Sequence, residues 1–368
     1  RASARAVSGL ITSWAEPLGM TRRMVEGRRI VDVSGASPTV HANLVDRLLV
    51  QGWTSVYERM RGLARIDRVG YAEAGAGTSQ SMAAWLRSHG LGRVQELFDV
   101  LCNVHGHASM LELPALYALK LLDRVYLQAG LQRVLQAGEP DAMDFVEGYQ
   151  ELWERIDERY DLQTRCRTTI DAVHRGPWGV RVHGRGPAGP FDETFDKLVV
   201  ACSLRGALDF LDVSPEERRL FTQFRHRESW VTLVRMEGAP RIATTVYPYA
   251  REASPGEPTA FTPPVPGDAG VFVFHAHGGP GIDEAVVQRN IERLMGRPGI
   301  DGAIQEFVHT QRWTGFPHVT NDAIRDGFYA DLEALQGEFH TYYTGEALTF
   351  PLVELVAEYS RALVAERF

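Results

Sequence analysis

Two pairs of histidines have a spacing that could bind a metal ion. His105 and His107, like His275 and His277, are separated by one residue, which would place both rings of a pair on one face of a β-strand. Neither pair has a Cys, Asp or Glu nearby at a recognisable ligand spacing. Packed or solvent-facing histidines are therefore the favoured interpretation, and we predict no metal site.

Motifs for phosphate binding and for common hydrolases are absent from the sequence. Gly75 and Gly77 lack the third glycine of a G-x-G-x-x-G turn and follow a charged stretch instead of a strand, so we predict a flexible turn there. The sequence also contains no G-x-S-x-G elbow and no H-E-x-x-H motif, which are the signatures of two large hydrolase groups.

A glycine near the C-terminus, Gly345, has a position that suits ligand binding. Residues 341–344 read as a short buried strand, and residues 352–366 read as a helix. A glycine between a strand and a helix lets the backbone approach a ligand, and the N–H groups at a helix start attract an electron-rich group. The alternative, which the residues alone favour, is a C-terminal helix that packs on a sheet.

The composition restricts the class of protein. The 47 acidic residues outnumber the 39 basic ones, which argues against a nucleic-acid partner. No apolar run approaches the length of a membrane span. The three cysteines, Cys102, Cys166 and Cys202, contain no C-x-x-C pair, so we predict neither a disulfide framework nor a zinc site, and a cytoplasmic location.

The elements that must position Gly345 alternate between helical and strand groups. Residues 15–135 are predicted to be all-helical, with helices over residues 44–60, 82–91, 94–101 and 116–135. Strands are predicted over residues 168–173, 179–182 and 198–202, as a β-meander around a turn at residues 184–190.

The second half of the chain repeats this alternation. Ser214 and Glu217 predict the start of a helix, which is followed by strands over residues 230–236, 242–247 and 270–275. The five prolines between residues 254 and 267 predict an irregular loop. Helices are predicted over residues 284–295 and 323–335.

Several segments together resemble the flavin amine oxidase superfamily. They are residues 148–152 (GYQEL) at the start of a helix, a strand ending at Ile170, residues 195–202 (FDKLVVAC) and residues 343–346 (YTGE). Trp313, residues 316–319 (FPHV), 335–337 (LQG), 359–360 (YS) and 113–120 (LPALYALK) resemble most closely the polyunsaturated fatty acid double-bond isomerase group. The resemblance extends from about Leu18 to Phe368.

The resemblance implies a mixed α/β fold with two domains. Residues 141–225 and 313–368 would form an FAD-binding domain of the glutathione-reductase/amine-oxidase type. Residues 1–140 would form the helical part of a substrate domain, and residues 226–312 its antiparallel sheet. The family's first βαβ unit, with its G-x-G-x-x-G turn, is expected upstream of Arg1 or on a separate chain that completes the FAD site.

The resemblance also implies a set of residues that bind FAD. Gly148 would lie beside the cofactor, Ile170 would contact the adenine through its backbone, and Gly345 and Glu346 would lie at the ribityl-pyrophosphate stretch. The turn from Phe350 through Leu352 to Val353 would point its N–H groups at the pyrimidine edge of the flavin. Trp313 and Tyr343 are candidate catalytic ring walls, with core packing as the alternative for each.

Substrate binding and reaction type follow from the same resemblance. Arg22 and Arg23 match an arginine pair of the isomerase, one member of which would bind a substrate carboxylate; a solvated basic turn is the alternative. The only lysines, Lys120 and Lys197, are predicted on a helix and on a cofactor-side strand, whereas the amine oxidases use a lysine on a substrate-domain strand.

We therefore predict an FAD-dependent oxidoreductase or isomerase that abstracts a hydride from a small lipophilic or carboxylate-bearing substrate. An amine or amino-acid oxidase that uses oxygen is the first alternative, and a binding protein without enzymatic activity is the second. The sequence leaves the oligomeric state open, with a homo-oligomer as one alternative.

Overall fold

The computed structural model describes most of the C-terminal two thirds of the chain and parts of the N-terminal third. The described residues are 15, 17–24, 28–32, 64–74, 76–92, 95, 109, 111–125, 143–240, 243–247, 254–263 and 270–368. The predicted helix over residues 44–60, most of the one over residues 94–101, and the pair His105 and His107 lie outside these residues.

The described residues form thirteen strands and nine α-helices. In chain order these are β1 (Arg22–Met24), β2 (Arg28–Asp32), α1 (Met82–Ser88), α2 (Ala115–Val125), β3 (Met143–Phe145), α3 (Tyr149–Tyr160), β4 (Thr169–Gly176), β5 (Gly179–Gly186), β6 (Gly189–Phe195), β7 (Leu198–Val200), α4 (Leu204–Ala207), α5 (Pro215–Phe221), β8 (Arg225–Glu237), β9 (Ala243–Tyr247), β10 (Pro258–Thr262), β11 (Val271–His277), α6 (Glu284–Met295), β12 (Ala303–His318), α7 (Asn321–Arg325), α8 (Phe328–Ala334), β13 (Thr341–Tyr343) and α9 (Val353–Arg367). None of the described helices is both long and apolar enough to cross a membrane.

A six-stranded sheet occupies the middle of the chain. Its strand order is β12-β8-β11-β10-β9-β2, and only the β2–β9 pair is parallel. Alternate residues of β8 and β11, such as Val234 and Phe274, pack with Val287 and Ile291 of α6 in one apolar cluster. Helix α6 therefore covers one face of this sheet.

The predicted loop over residues 254–267 was wrong in part, because β10 lies inside it. Pro258 is the first residue of β10 and pairs with Ala276 next to a bulge. A proline at a strand start leaves the following ladder intact, since only its own missing N–H is lost. Strand β12, which pairs with β8 over most of its length, was not predicted as a strand.

The predicted β-meander was also wrong in its third strand. Strands β4, β5 and β6 form a three-stranded antiparallel sheet. The predicted turn at residues 184–190 is confirmed at residues 187–188, between β5 and β6, and both strands extend into the predicted range. Strand β7 leaves that sheet and pairs in parallel with β13, over 140 residues later in the sequence. Local patterns cannot reveal such a long-range partner.

The all-helical prediction for residues 15–135 fails at two short strands. Strand β1 pairs with β3, and β2 forms one edge of the six-stranded sheet. Within the described residues, the predicted helices at 82–91 and 116–135 are confirmed in α1 and α2.

Two of the predicted helices in the second half of the chain are confirmed, and a third is divided. Ser214 and Glu217 form the capping box that begins α5, and α6 spans the predicted residues 284–295. The predicted helix over residues 323–335 is divided into α7 and α8 at Gly327, whose φ of 88° is left-handed. A second apolar core joins α1, α2, β4, β5, α5, α8, β13 and α9.

Candidate functional site

The backbone at Gly345 adopts a conformation that favours glycine. Its φ is 98°, and a Cβ at this position would lie 3.2 Å from the carbonyl oxygen of Ala201. Ala201 follows the parallel strand β7, and Thr344 N–H donates to Val200 O at 3.0 Å. The carboxyl ends of two parallel strands therefore meet at Gly345, which is where ligands bind in open α/β sheets.

Helix α9 begins eight residues later without a side-chain cap. Leu352 is its N-cap residue and makes no capping hydrogen bond. The Leu352 N–H is already used, because it donates to Phe350 O at 2.7 Å. The Val353 N–H has no hydrogen-bond partner among the described residues. This helix start thus offers an amide donor at the positive end of the helix dipole.

An aromatic cluster adjoins this region, and we define it as Tyr71, Tyr117, Phe316, Tyr329 and Phe350. The Tyr71 ring centroid lies 5.4 Å from that of Tyr117 and 4.6 Å from that of Tyr329, and Phe316 lies 5.5 Å from Tyr117 and 5.7 Å from Phe350. All five side chains are buried. The cluster joins α2, β12, α8 and two loops, one of which leads from Gly345 into α9.

The hydroxyl groups of the aromatic cluster differ in their partners. The hydroxyls of Tyr117 and Tyr329 are 2.7 Å apart, and Tyr117 Oη accepts the Val319 N–H at 2.8 Å. The buried Tyr71 Oη has no hydrogen-bond partner among the residues that the structure describes. A buried hydroxyl without a partner carries a desolvation cost, so Tyr71 is an unused donor and acceptor inside the site.

Glu346 is the acidic group of this region. Burial raises the pKa of its carboxyl, although the carboxyl accepts a hydrogen bond from the Phe316 N–H, which opposes the shift. Phe316 has a φ of 51° directly before Pro317, where a left-handed backbone is uncommon. The backbone of Phe316 is thus held in an unusual conformation that directs its N–H at Glu346.

Gly148 and Ile170, two other predicted cofactor residues, lie on different elements of the fold. Gly148, with a φ of 89°, is the N-cap of α3, and its neighbour Tyr149 interacts with Glu354 of α9: burial and the Glu354 charge both raise the pKa of Tyr149. Ile170 lies in β4, where it pairs with Gly184 and packs against the second core. The structure thus brings the start of α3 towards α9 and packs Ile170 against the core to which α9 also contributes.

The two predicted ring walls are in different environments. Tyr343 is fully buried, and its hydroxyl donates to Glu217 and accepts from Arg175 Nη1 at 3.3 Å. Trp313 is 57% exposed on β12, opposite Ser229 of β8. The structure does not bring these two rings together, and the contacts of Tyr343 are those of a core residue.

Arg22 and Arg23 lie on β1, where they pair with Phe145 and Asp144 of β3. Only their backbone is described, so the predicted carboxylate contact stays a prediction.

The two lysines occupy contrasting positions. Lys120 lies on α2, as predicted, and its buried ammonium donates to Arg68 O. It lines a small cavity, with room for about one water, together with Thr349 and Leu355 of the C-terminal tail. Lys197 precedes β7 and donates to Arg367 O at 3.0 Å. Lys120 therefore lies beside the C-terminal tail that leads into α9, a proximity that its position in the sequence does not predict.

His275 and His277 lie on one face of β11, as their spacing predicts. Burial lowers the pKa of His275. No third metal-ligating side chain joins them among the described residues.

The site fits the cofactor that the resemblance implies. A glycine-dependent close approach at Gly345, an available amide at Val353 and the unpartnered hydroxyl of Tyr71 are the features expected where backbone and polar groups contact a bound cofactor. Sequence reasoning missed the aromatic cluster, because Tyr71, Tyr117 and Tyr329 are separated by 46 and 212 residues.

Comparisons with known proteins find similar folds among solved structures. No family model matches the sequence, and no curated protein matches it. Among solved structures, the chain is similar to a CLA-producing fatty acid isomerase from P. acnes, with a TM-score of 0.82, 20% identity, and coverage of 97% of this chain and 84% of that chain.

The chain is also similar to putrescine oxidase. A redesigned triple mutant of that enzyme has a TM-score of 0.65 and 13% identity, with coverage of 99% of this chain and 86% of that chain. The wild type bound to putrescine has a TM-score of 0.60 and 12% identity, with the same coverage. These likenesses confirm the resemblance at the level of the mixed helix and sheet fold.

Proposed function

We propose that this protein is an FAD-dependent oxidoreductase or isomerase that abstracts a hydride from a C–H bond of a small lipophilic or carboxylate-bearing substrate. The observation that carries the proposal is the likeness to a fatty acid isomerase over 97% of the chain. In this proposal residues 141–225 and 313–368 form the cofactor domain, and residues 1–140 and 226–312 form the substrate domain.

The described residues would hold FAD at the C-terminal tail. The Gly345 backbone would admit the ribityl-pyrophosphate stretch, and Glu346 would lie beside it. The Val353 N–H and the α9 dipole would face the pyrimidine edge of the flavin, where they would stabilise negative charge. Ile170 and Gly148 would contact the cofactor from the other segment. When bound, FAD supplies the hydride acceptor.

Residues around the tail would exclude water from the reacting centre. Phe316 and Phe350 are buried apolar rings that contact each other, and the Phe316 N–H donates to Glu346. A dry site strengthens the electrostatic effect of nearby amides. Trp313, three residues before Phe316, would form a wall on the substrate side. The predicted role of Arg22 or Arg23 in binding a substrate carboxylate stays part of the proposal.

An amine oxidase that uses oxygen is the second candidate, and the position of Lys120 favours it. In the amine oxidases that the sequence resembles, a lysine holds a water beside the flavin. Lys120 and the water-sized cavity adjoin Thr349 and Leu355, so a Lys120→Met variant distinguishes the two. Loss of oxidation of a monoamine would support the amine oxidase, whereas unchanged hydride abstraction from a fatty acid would support the isomerase class.

Reconstitution with FAD tests the proposal. The purified protein is incubated with FAD, separated from free cofactor and examined by absorbance, and the released flavin is identified by chromatography. We expect a yellow protein with about one FAD per chain. A colourless protein that shows a cooperative thermal transition would refute the enzyme proposal and favour a binding protein without enzymatic activity.

A further inference from the structure

The end of β12 contains a bulge in which a phenylalanine adopts a backbone conformation that favours glycine. Phe316 and Pro317 of β12 together lie opposite a single residue of β8, His226. Phe316 has a left-handed φ of 51°. The first residue of a bulge with this geometry is usually glycine, and a following proline disfavours the conformation further. Such a backbone persists only where the surrounding contacts hold it.

Two sets of contacts hold this bulge. The His318 ring stacks on the Phe316 ring, with centroids 5.3 Å apart and planes inclined by 22°, and His318 Nδ1 lies 2.9 Å from Phe316 O. The next residue, Val319, donates its N–H to the buried Tyr117 Oη at 2.8 Å. His318 therefore contacts both the ring and the carbonyl group of the residue whose backbone is strained.

The hydrogen bond to Phe316 determines which ring nitrogen of His318 carries a proton. A carbonyl oxygen only accepts, so Nδ1 is the donor to Phe316 O. Burial lowers the pKa of His318, and the charges of Arg227, His226 and Arg225 lower it further, which together outweigh the opposing effect of the bond to Phe316. The ring is therefore neutral at about pH 7, with its proton on Nδ1.

The bulge also directs a backbone amide at Glu346. The Phe316 N–H donates to the Glu346 carboxyl, and Glu346 directly follows Gly345 in the sequence. The φ and ψ of Phe316 set the direction of its N–H relative to its carbonyl group. Because His318 holds the carbonyl group, it also holds the direction of the N–H that Glu346 accepts.

We infer that His318 is a positioning residue of the cofactor site, which holds the Phe316 bulge so that the Phe316 N–H orients the Glu346 carboxyl towards bound FAD. This inference rests on the proposed function, in which Glu346 lies beside the ribityl-pyrophosphate stretch. A carboxylate held by an amide accepts hydrogen bonds from the ribityl hydroxyls, whereas one that turns freely meets the like charge of the pyrophosphate. His318 acts through Phe316 and needs no contact of its own with the cofactor.

FAD titrations of three His318 variants test the inference. The amide nitrogen of an asparagine takes the place of imidazole Nδ1, whereas that of a glutamine takes the place of Nε2. We therefore expect His318→Asn to bind FAD within about twofold of the unaltered protein, and His318→Gln and His318→Ala to bind it about three- to tenfold more weakly. His309→Gln is the matched control, because it changes an exposed histidine of the same strand, and it should bind FAD normally.

A double variant shows whether the effect passes through Glu346. Glu346→Ala removes the group that the Phe316 N–H holds, so His318→Gln should weaken FAD binding no further in that background. Equal affinities of His318→Asn and His318→Gln, or losses that add in the double variant, would overturn the inference and leave the proposed function standing. An unaltered protein that binds no FAD would instead refute the proposed function, and this inference with it.

Discussion

Replacement of Arg175 by methionine should destabilise the protein strongly, because Arg175 is the centre of a buried ionic network. Its side chain is 2% exposed, and its two terminal nitrogens each donate to Glu217 at 2.7 Å. Nε also donates to Asp212 at 2.7 Å. Glu217 accepts a further hydrogen bond from Tyr343 of β13. The network therefore links β4, α5 and β13 through side-chain hydrogen bonds. Strand β13 directly precedes Thr344 and Gly345.

The magnitude follows from what the substitution leaves behind. Methionine keeps most of the apolar stem, so the loss is mainly electrostatic. Glu217 is 0% exposed in its side chain and would remain in the core without its cation. Removing one partner of a buried ion pair costs about 3–5 kcal/mol. The entropy of unfolding is about 2.1 cal/mol/K per residue, and the chain has 368 residues. Dividing the loss of free energy by the total entropy predicts that the melting temperature falls by about 4–6 °C. If only part of the chain unfolds in this transition, the entropy is smaller and the melting temperature falls further.

The pH dependence provides a second test. Burial raises the pKa of Glu217, but hydrogen bonds from Arg175, Tyr343 and Ser214 outweigh it, so the pKa lies below its usual value. Its contribution to stability is therefore present above the unfolded-state pKa and is lost as pH falls through the folded-state pKa. Without Arg175, burial should raise the folded-state pKa instead. The penalty of Arg175→Met should then be large at about pH 7 and smaller at about pH 4.

Thermal unfolding followed by circular dichroism, at both pH values, measures these effects. Arg181→Met is the control, because Arg181 pairs with Asp192 in the same three-stranded sheet but is 51% exposed. It should produce no resolvable shift. If Arg175→Met were as stable as Arg181→Met, or if its penalty did not depend on pH, the network would not stabilise the fold as the structure indicates.

Two further variants examine the cofactor site. Gly345→Ala should lower FAD affinity in a flavin titration, because a residue with a Cβ would be strained at a φ of 98° and its Cβ would approach Ala201 O. Gly77→Ala is the control, since a Cβ there meets no heavy atom of the described residues within 4 Å. Equal FAD affinities of the two variants would contradict the role of Gly345. Tyr71→Phe removes a hydroxyl that has no partner in the described part of the chain, so it should not destabilise the flavin-free protein, yet it should weaken FAD binding. Tyr117→Phe loses two hydrogen bonds and should destabilise the flavin-free protein by about 1–2 kcal/mol. A Tyr71→Phe variant that bound FAD normally would show that the hydroxyl does not face the cofactor.

Elements whose signals are local were predicted well from the sequence. The capping box at Ser214 and Glu217 identified the start of α5, and the spacing of apolar residues identified α6. The resemblance to flavin amine oxidases predicted the fold that the solved structures confirm. Prolines misled the interpretation at β10, because their effect on a strand depends on the position they occupy in the ladder.

The sequence determined the short strand, the glycine and the final helix of the C-terminal tail, because turn chemistry and helical periodicity act between near neighbours. Only the tertiary structure decided which residues surround that tail. It paired β7 with β13, buried Tyr343 against Glu217 and brought the five rings of the aromatic cluster together. Side-chain burial and ion pairing are created by contacts between distant residues, and no local pattern encodes them.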